Sequence, residues 1–386
     1  MKTKRLCALL LLLVSIISLA VAGEVSKPLA EIYKKGTVRF VPDLVLDESS
    51  LPAEALIESL TDVKYDPQGN IYFCDYKANN IKKFNQGVKF LKAIGRKGQG
   101  PGDFNMPFLL AVTADRLFVW DMGNRRLCSL TLDGDFIKSI PIQFSQGMPT
   151  KMEALPDGNI LIGMERNYPS EENRPGDYLI EIYSRELDHQ GTFYTQQVWT
   201  QKNIRTKEMR IAIALPFAAQ VCWDVSPDGK VIIGFSKNYE IEVYSSDRGK
   251  LFSFKHAYKP VKVTAKDKQE FFEGLTFSVD GVRTSQIPDF IIKNTDFPAE
   301  KPAFSHLKVD SDGNILVWPY RPKREEEGIY LDAFDTEGKF INQVRLIGNK
   351  ETLANFSWSK LYQGTFWSNE VDEAGRIKLI RYRLSD

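Results

Sequence analysis

Beyond residue 60 the chain alternates short apolar runs with polar turns. The runs NIYFCDY (70–76), RLFVWD (116–121), NILIGME (159–165), KVIIGFS (230–236) and NILVWPY (314–320) are rich in β-branched and aromatic residues. They are too short and too continuously apolar for amphipathic helices, so each reads as a strand buried on both faces. One stretch departs from this pattern: Lys266 to Leu275 carries the spacing of a short helix.

The turns repeat as regularly as the strands. Asp66-Pro67-Gln68-Gly69, Pro156-Asp157-Gly158, Pro227-Asp228-Gly229 and Asp312-Gly313 each precede one of those runs, with a degenerate copy at Ala114-Asp115. A second family follows at a steady offset: Asn85-Gln86-Gly87, Asp133-Gly134, His189-Gln190-Gly191, Asp247-Arg248-Gly249 and Thr336-Glu337-Gly338. A period of roughly 40–50 residues with four strand signals marks a propeller blade. The expected fold is therefore all-β, a six-bladed β-propeller of four-stranded antiparallel blades. Its blades lie near 61–95, 108–142, 150–199, 220–256, 305–346 and 357–384. The last copy begins near Ser357, has strands around 364–371 and 376–384, and stops one strand short. Thr37 to Leu46, TVRFVPDLVL, is a strand without a blade at the other end of the chain. Pairing the two would close the ring and remove its open edges.

Between the first two repeats lies IGRKGQGPGDFNMP, residues 94–107, with glycines at 95, 98, 100 and 102. Such density permits repeated positive φ and predicts a folded loop joining two blades. A phosphate-binding turn would need a different glycine spacing and a helix opening directly after it, which Phe104-Asn105-Met106-Pro107 does not offer. The loop, and residues 60–140 around it, resemble NHL repeats: Asp75 and Asn79 occupy the signature in the first copy, and Asp121, Asn124 and Arg126 in the second, within VWDMGNRRL. This match covers about a quarter of the chain. The remainder is similar to bacterial TolB-like six-bladed propellers. The resemblance implies that these Asp, Asn and Arg side chains tie adjacent strands together.

Charge and composition narrow the class. Lys2, Lys4 and Arg5 precede an apolar run, Leu6 to Ala22, that ends in Ala20-Val21-Ala22. A basic head, an apolar middle and small residues at its end predict a signal peptide, residues 1–22, cleaved after Ala22, and a secreted or periplasmic protein. A lead-in, residues 23–36, would then precede a single propeller, 37–386, with no membrane span. Losing three basic residues turns the formal charge from 51 − 50 = +1 into 48 − 50 = −2. A near-neutral chain without a basic stripe has no electrostatic footprint for nucleic acid. Cys74, Cys128 and Cys222 remain, each inside a strand run, and read as buried thiols rather than a disulfide framework.

In a propeller the first–second and third–fourth strand turns share one face, and here all of those are short. The long segments 167–177, 200–219, 258–304 and 321–327 fall on the other face with the glycine-rich loop. Loops over a rigid scaffold carry binding residues, so a ligand or protein partner is expected there, over the central channel. Arg166 with Tyr168, Arg205 with Arg210, and Tyr320 with Arg321 offer guanidinium and aromatic groups for carboxylate, phosphate or sugar. Catalysis has less support. Propeller lyases and lactonases, to which the fold would be similar, hold metal with residues from several blades. Here His189, His256 and His306 fall in positions that cannot share one ion. Asp310-Ser311-Asp312-Gly313-Asn314 lacks the later bidentate Glu of a calcium loop and reads as a turn. The expected function is non-catalytic binding by a monomer that uses no metal or other cofactor, with a metal-dependent lyase or hydrolase and a ligand-free extracytoplasmic scaffold as alternatives.

Overall fold

Each Asp-Gly or Pro-Asp-Gly turn reverses the chain between two apolar strands, and four successive reversals make one sheet. The computed structural model describes residues 28–386 apart from 169–173, 206–209, 276, 280–281, 285–286, 322–328 and 372–375. The proposed signal peptide and most of the 321–327 segment therefore lie outside the described residues. β1 (Thr37–Leu46) is followed by a sheet of β2 (Leu60–Tyr65), β3 (Ile71–Asp75), β4 (Asn80–Phe84) and β5 (Phe90–Ile94). The next sheet is β6 (Pro107–Val112), β7 (Arg116–Asp121), β8 (Arg126–Thr131) and β9 (Phe136–Pro141). A third contains β10 (Met148–Ala154), β11 (Ile160–Arg166), β12 (Gly176–Tyr183) and β13 (His189–Val198). A two-stranded pair, β14 (Gln201–Arg205) and β15 (Arg210–Ala214), leads to β16 (Val221–Val225), β17 (Val231–Phe235), β18 (Glu240–Tyr244) and β19 (Lys250–Lys255). All four sheets are antiparallel and meander in sequence order, and the arrangement is propeller-like.

The next long connection holds a helix (Ala265–Glu273), where the sequence predicts one, and a two-stranded pair, β20 (Phe277–Val279) and β21 (Val282–Thr284). Thr264 starts the helix with a reciprocal capping box to Asp267. β22 (Phe304–Val309), β23 (Ile315–Pro319), β24 (Ile329–Phe334) and β25 (Phe340–Ile347) then join β26 (Thr365–Val371), β27 (Ile377–Ser385) and β1 in one seven-stranded sheet, ordered β22-β23-β24-β25-β1-β27-β26. Between β25 and β26, a last helix (Lys350–Trp358) starts where the Asn349 side chain accepts from Thr352 N at 2.7 Å. The helix ends at Trp358, and the residues that follow, where the repeat predicts the first strand of the last copy from near Ser357, hold only an isolated bridge, Tyr362↔Thr365, so the last set has two strands of its own before β1 joins it. Asn349 caps the helix and Phe356 fills the core from its buried face.

β1 is the hinge of this sheet. It pairs antiparallel with β27 from Arg39↔Ser385 to Leu46↔Leu379, as the orphan-strand argument expects. The register slips between Pro42 and Leu44, where the proline has no N–H for the ladder. Its first residues run past the end of β27 and pair parallel with β25, Thr37↔Arg345 to Arg39↔Ile347, which fuses the two strand sets. Val38 and Phe40 are buried in the core with Trp318, Leu331, Phe356 and Phe366, while Leu46 packs with Val63, Phe73 and Trp367 of β2, β3 and β26. The chain's first and last strands thus bind the first sheet and the last.

Between consecutive sheets lie apolar clusters rather than one central core: Leu117, Val119 and Leu130 meet Tyr72 and Ile81, and Trp223 and Ile233 meet Leu161 and Ile180. Cys74 and Cys128 are buried in the first of these and Cys222 is half-buried; all three are free thiols that burial pushes up, Cys128 and Cys222 to about 12.

The NHL-like side chains are strand ties. Asp75 accepts from the backbone N–H groups of Glu58, Ser59 and Ala78, and Asp121 from Asn105 N, Asn124 Nδ2 and Arg126 Nε. Arg126 donates onward to the carbonyls of Gln99, Gly100 and Asp103, and Asn124 to that of Gly98. The glycine-rich loop is thereby wrapped around one guanidinium. Gly95 has φ +80°, and a Cβ there would stand 2.4 Å from the buried Phe104 ring.

A buried lysine anchors the last helix. Lys308 Nζ donates to the carbonyls of Phe356 and Ser359 at the helix's C-terminal end, where orphan acceptors and the helix dipole favour a cation. The ammonium also lies 4.7 Å from the Phe356 ring centroid. Burial nevertheless pushes its pKa down to about 7.

Three outcomes test this account. Deleting residues 24–46, or the milder Phe40→Ala, should lower stability, the latter by about 3–5 kcal/mol; unchanged melting of the truncated chain would refute closure by β1. Gly95→Ala should cost about 2 kcal/mol or more in chemical denaturation, because it combines positive φ with a ring clash. Gly100→Ala, whose Cβ meets only the movable Asp103 side chain at 3.0 Å, should cost under about 1 kcal/mol. Below pH 7 both folded and unfolded Lys308 are protonated and the fold carries the full burial penalty. As pH rises from 7 toward 10.5 the folded chain sheds that proton first, so stability gains up to about 1.4 kcal/mol per pH unit. Melting curves of wild type and Lys308→Met that run parallel between pH 7 and 9.5 would contradict this.

Candidate functional site on the axis

The first strands β2, β6, β10, β16 and β22 pack beside one another around a common axis. Each starts on the face that receives the long connections and ends at a short turn. Two residues before the turn residues Asp66, Leu155, Ser226 and Asp310 stand Lys64, Glu153, Asp224 and Lys308. β6 has Ala111 at this position, and Lys360 reaches in from the segment after the last helix.

These groups form a chain of alternating charge across the axis. Lys64 Nζ lies 3.3 Å from Asp62 and 3.1 Å from Glu153. Lys360 spans Glu153 at 3.4 Å and Asp224 at 3.6 Å, and Lys151 meets Asp224 at 3.1 Å. The carboxylates are also fixed by backbone: Asp62 accepts from Leu110 N at 2.9 Å and Asp224 from Val309 N at 2.8 Å, each across to the next sheet. Burial alone would raise Glu153 and Asp224, but Lys360, Lys151 and Lys64 outweigh it and hold both below the usual carboxylate range. Burial likewise works against the Lys64 and Lys360 ammoniums, and their carboxylate partners overcome it, so both are raised. Asp62 goes the other way, raised by burial despite Lys64.

The network is a partition. On the long-connection side it floors a cavity of about 470 Å³ lined by Thr61, Phe108, Thr150, Tyr178, Trp223 and Trp358, among others. On the short-turn side Lys64, Glu153 and Lys360 also line a second space of about 600 Å³, rimmed by Pro67, Pro156 and Pro227. Two of the ion pairs are lopsided: the Lys151 and Lys360 side chains are 30 % and 26 % exposed, those of Asp224 and Glu153 only 3 % and 8 %, whereas Lys64 and Asp62 are buried about equally. The Lys151 ammonium also donates to Trp223 O at 2.7 Å. The walls are aromatic and hydroxylic. Trp223 Nε1 donates to Tyr178 Oη at 2.8 Å, and Thr150 shares that hydroxyl at 3.1 Å. Gly163 lets this pair approach, since a Cβ there would lie 2.3 Å from Tyr178 Oη. Glu165, bonded by Thr200 Oγ1, is a wall carboxylate, and burial pushes the pKa of His306 down.

Of the residues singled out from sequence, Arg166, Tyr168, Tyr320 and Arg321 stand outside the lining of this cavity. Arg166 donates to Asp177 at 3.1 Å and Tyr168 does so at 2.6 Å, with the Arg174 guanidinium 3.5 Å from the Tyr168 ring centroid. Arg205 and Arg210 face each other in register at the tip of β14–β15, and their side chains lie outside the described residues. Tyr320 packs near Phe217 and the Lys301 ammonium. Arg321 turns to the buried Asp332, which also accepts from Tyr239 Oη at 2.8 Å. The structure thus brings Arg166 and Tyr168 together on Asp177 and sends Tyr320 and Arg321 to different partners. The long connections also grip one another: Asn203 donates to Tyr168 O, and Lys202 reaches Asp296 at 2.7 Å.

The axial groups did leave a mark in the sequence. V-K-Y, M-E-A, W-D-V and L-K-V each put one ionisable residue between apolar ones at a fixed distance before the turn. Set in register by the repeat, those charges converge on the axis.

The three histidines are dispersed: His189 bonds Glu181 at 2.7 Å, His256 stacks on Phe340, and His306 pairs with Ser305 at 2.9 Å on the cavity wall. Among the described residues no group of three or more His, Cys, Asp or Glu side chains is disposed to hold a metal ion. No described helix is long and apolar enough to cross a membrane.

No family model matches the chain, and no curated protein matches it. Solved structures do resemble it. A protein of Bacteroides fragilis NCTC 9343 designated as exported is 11 % identical, with a TM-score of 0.51 over 90 % of this chain and 95 % of its own. A member of the DUF4221 family from Bacteroides vulgatus ATCC 8482 is 12 % identical, with a TM-score of 0.53 over 91 % and 99 %. Virginiamycin B lyase from Staphylococcus aureus is looser, 9 % identical with a TM-score of 0.41 over 89 % and 99 %. At these identities the first two establish a likeness of fold alone.

Proposed function

We propose that this protein is an exported, monomeric binding module, a six-bladed propeller that holds a small ligand, or the tip of a protein partner, in the axial cavity on its long-connection face. The observation that carries the reading is a concave, aromatic-walled space lined at its base by the partly exposed side chains of Lys151 and Lys360, each paired with a more deeply buried carboxylate. Concave sites with a few convergent polar groups are where ligands bind. The ion pairs hold those ammoniums in place before a ligand arrives, which lowers the ordering cost of binding.

The blade count rests on β22–β25 as the fifth blade and β26–β27–β1 as a three-stranded sixth, with the Trp367–Leu379 face packed on the first sheet. Export rests on the basic and apolar pattern of residues 2–22, and an exported protein is among the fold neighbours. Arg166, Tyr168, Arg205, Arg210, Tyr320 and Arg321 are on this reading outer contacts, serving a ligand or partner larger than the cavity.

A thermal-shift screen of the mature chain against small acids, sugars and peptides tests the proposal, since a ligand at 100 times its Kd stabilises by about 2.7 kcal/mol. Compounds that bind should lose their shift in Ser305→Trp, which fills the mouth, and keep it in Asp133→Ala on the short-turn face. Retained shifts in the filled variant would place binding elsewhere and refute the axial site.

A further inference from the structure

The cavity shows two kinds of polar group at two depths. At the floor, the Lys151 and Lys360 side chains line the open space and are partly exposed, while their partners Asp224 and Glu153 are more deeply buried. On the wall, Glu165 accepts from Thr200 and Asn167 through one oxygen, and the Thr150 hydroxyl lies beside that of Tyr178. An inorganic anion would be served by the floor but would face Glu165 across the same space. A ligand that carries an anionic group at one end and hydroxyl donors along its side satisfies both.

The apolar lining adds shape. The Trp223 face is already occupied by the Lys151 ammonium, 5.3 Å from its centroid, and the Trp223 indole N–H is committed to Tyr178. Trp358 is free of such duties: it is 44 % exposed, lines the cavity, and is the last residue of the helix whose end Lys308 anchors. An exposed indole held on a fixed backbone is suited to stack on the C–H face of a saturated ring. A space of about 470 Å³ has room for one or two such rings.

Resting on the axial-site reading above, we propose that the ligand is an acidic saccharide with a uronic-acid residue. Its carboxylate is taken by Lys151 and Lys360, its hydroxyls by Glu165 and the threonines, and its ring face by Trp358. Lysine ammoniums bind a carboxylate as point charges, so affinity should fall with salt.

The experiment titrates the full mature chain with galacturonate, digalacturonate and glucuronate, and with galactose and glucose as neutral counterparts, by calorimetry and by tryptophan fluorescence, the share of Trp358 among the six tryptophans being read as the difference from Trp358→Ala. The uronates should bind and the neutral sugars should bind at least about tenfold more weakly. Trp358→Ala, a change at an exposed ring, should weaken uronate binding about tenfold without altering the melting temperature. Lys151→Met should abolish the preference for the acid. Lys151→Arg, which keeps the charge, should retain part of it and guards against loss through misfolding. Equal binding of neutral and acidic sugars, lost in the filled Ser305→Trp variant, would overturn the uronate assignment and leave the axial site standing. Uronate binding indifferent to both Trp358→Ala and Ser305→Trp would overturn the two together. A chain that binds none of these sugars while other compounds in the screen occupy the cavity would overturn this inference alone.

Discussion

Lys360 is the contact on which the centre of this molecule turns. It comes from the final part of the chain and reaches Glu153 and Asp224 on the first strands of two other sheets. Removing one partner from a buried ion network costs about 3–5 kcal/mol, because the charge left behind is unpaired in a poorly solvated place. That asymmetry makes the alternating chain from Asp62 to Lys151 self-enforcing. Each member is costly alone and tolerable only when its neighbours stand at the right distance. The network therefore ties the first strands to one another around the axis, between the two spaces that Lys64, Glu153 and Lys360 both line.

The periphery obeys a different rule. A four-stranded sheet buried on both faces must find another sheet on either side, so each apolar cluster commits two neighbours to one another. The series leaves an unsatisfied face at each end, and β1 answers that need by pairing with β27, continuing onto β25 and packing Leu46 against the first sheet. One strand thereby protects the edges of the last sheet and joins the two ends of the chain. Tyr33 and Leu29, just before it, are held by Asp310 and Asp312 of a turn in the same large sheet, so the approach to β1 is fixed as well.

Placing charge at the centre and apolar surface between the sheets has a consequence for binding. A site built from residues on rigid first strands is stiffer than one built on loops, and its electrostatic character is decided by which partner of each ion pair is uppermost. Here Lys151 and Lys360 are more exposed than the Asp224 and Glu153 they pair with. The long connections frame the mouth and grip one another through Asn203, Tyr168, Lys202 and Asp296, so the floor and the rim belong to separate structural layers.

Strand positions, turns, the all-β class, the glycine-rich connection, the helix near Lys266 and the pairing of the two chain ends were legible in the sequence, because all of them follow from local periodicity and turn chemistry or from counting strands. The helix at Lys350–Trp358 was not: it is a short segment in a connection between strand signals, held by the Asn349 cap and the packing of Phe356 in the core. Nor were the partners of the polar groups on the long connections. Arg166, Tyr168, Tyr320 and Arg321 look like free binding groups in one dimension, yet Asp177 and Asp332 engage three of them. Lys64, Glu153, Asp224, Lys308 and Lys360 are spread over nearly three hundred positions, and each alone resembles an ordinary solvated charge. Their meeting depends on how the sheets are arranged about the axis. A linear pattern carries the period of a repeat, but the distance between two charges in different repeats exists only once tertiary packing has turned that period into an angle.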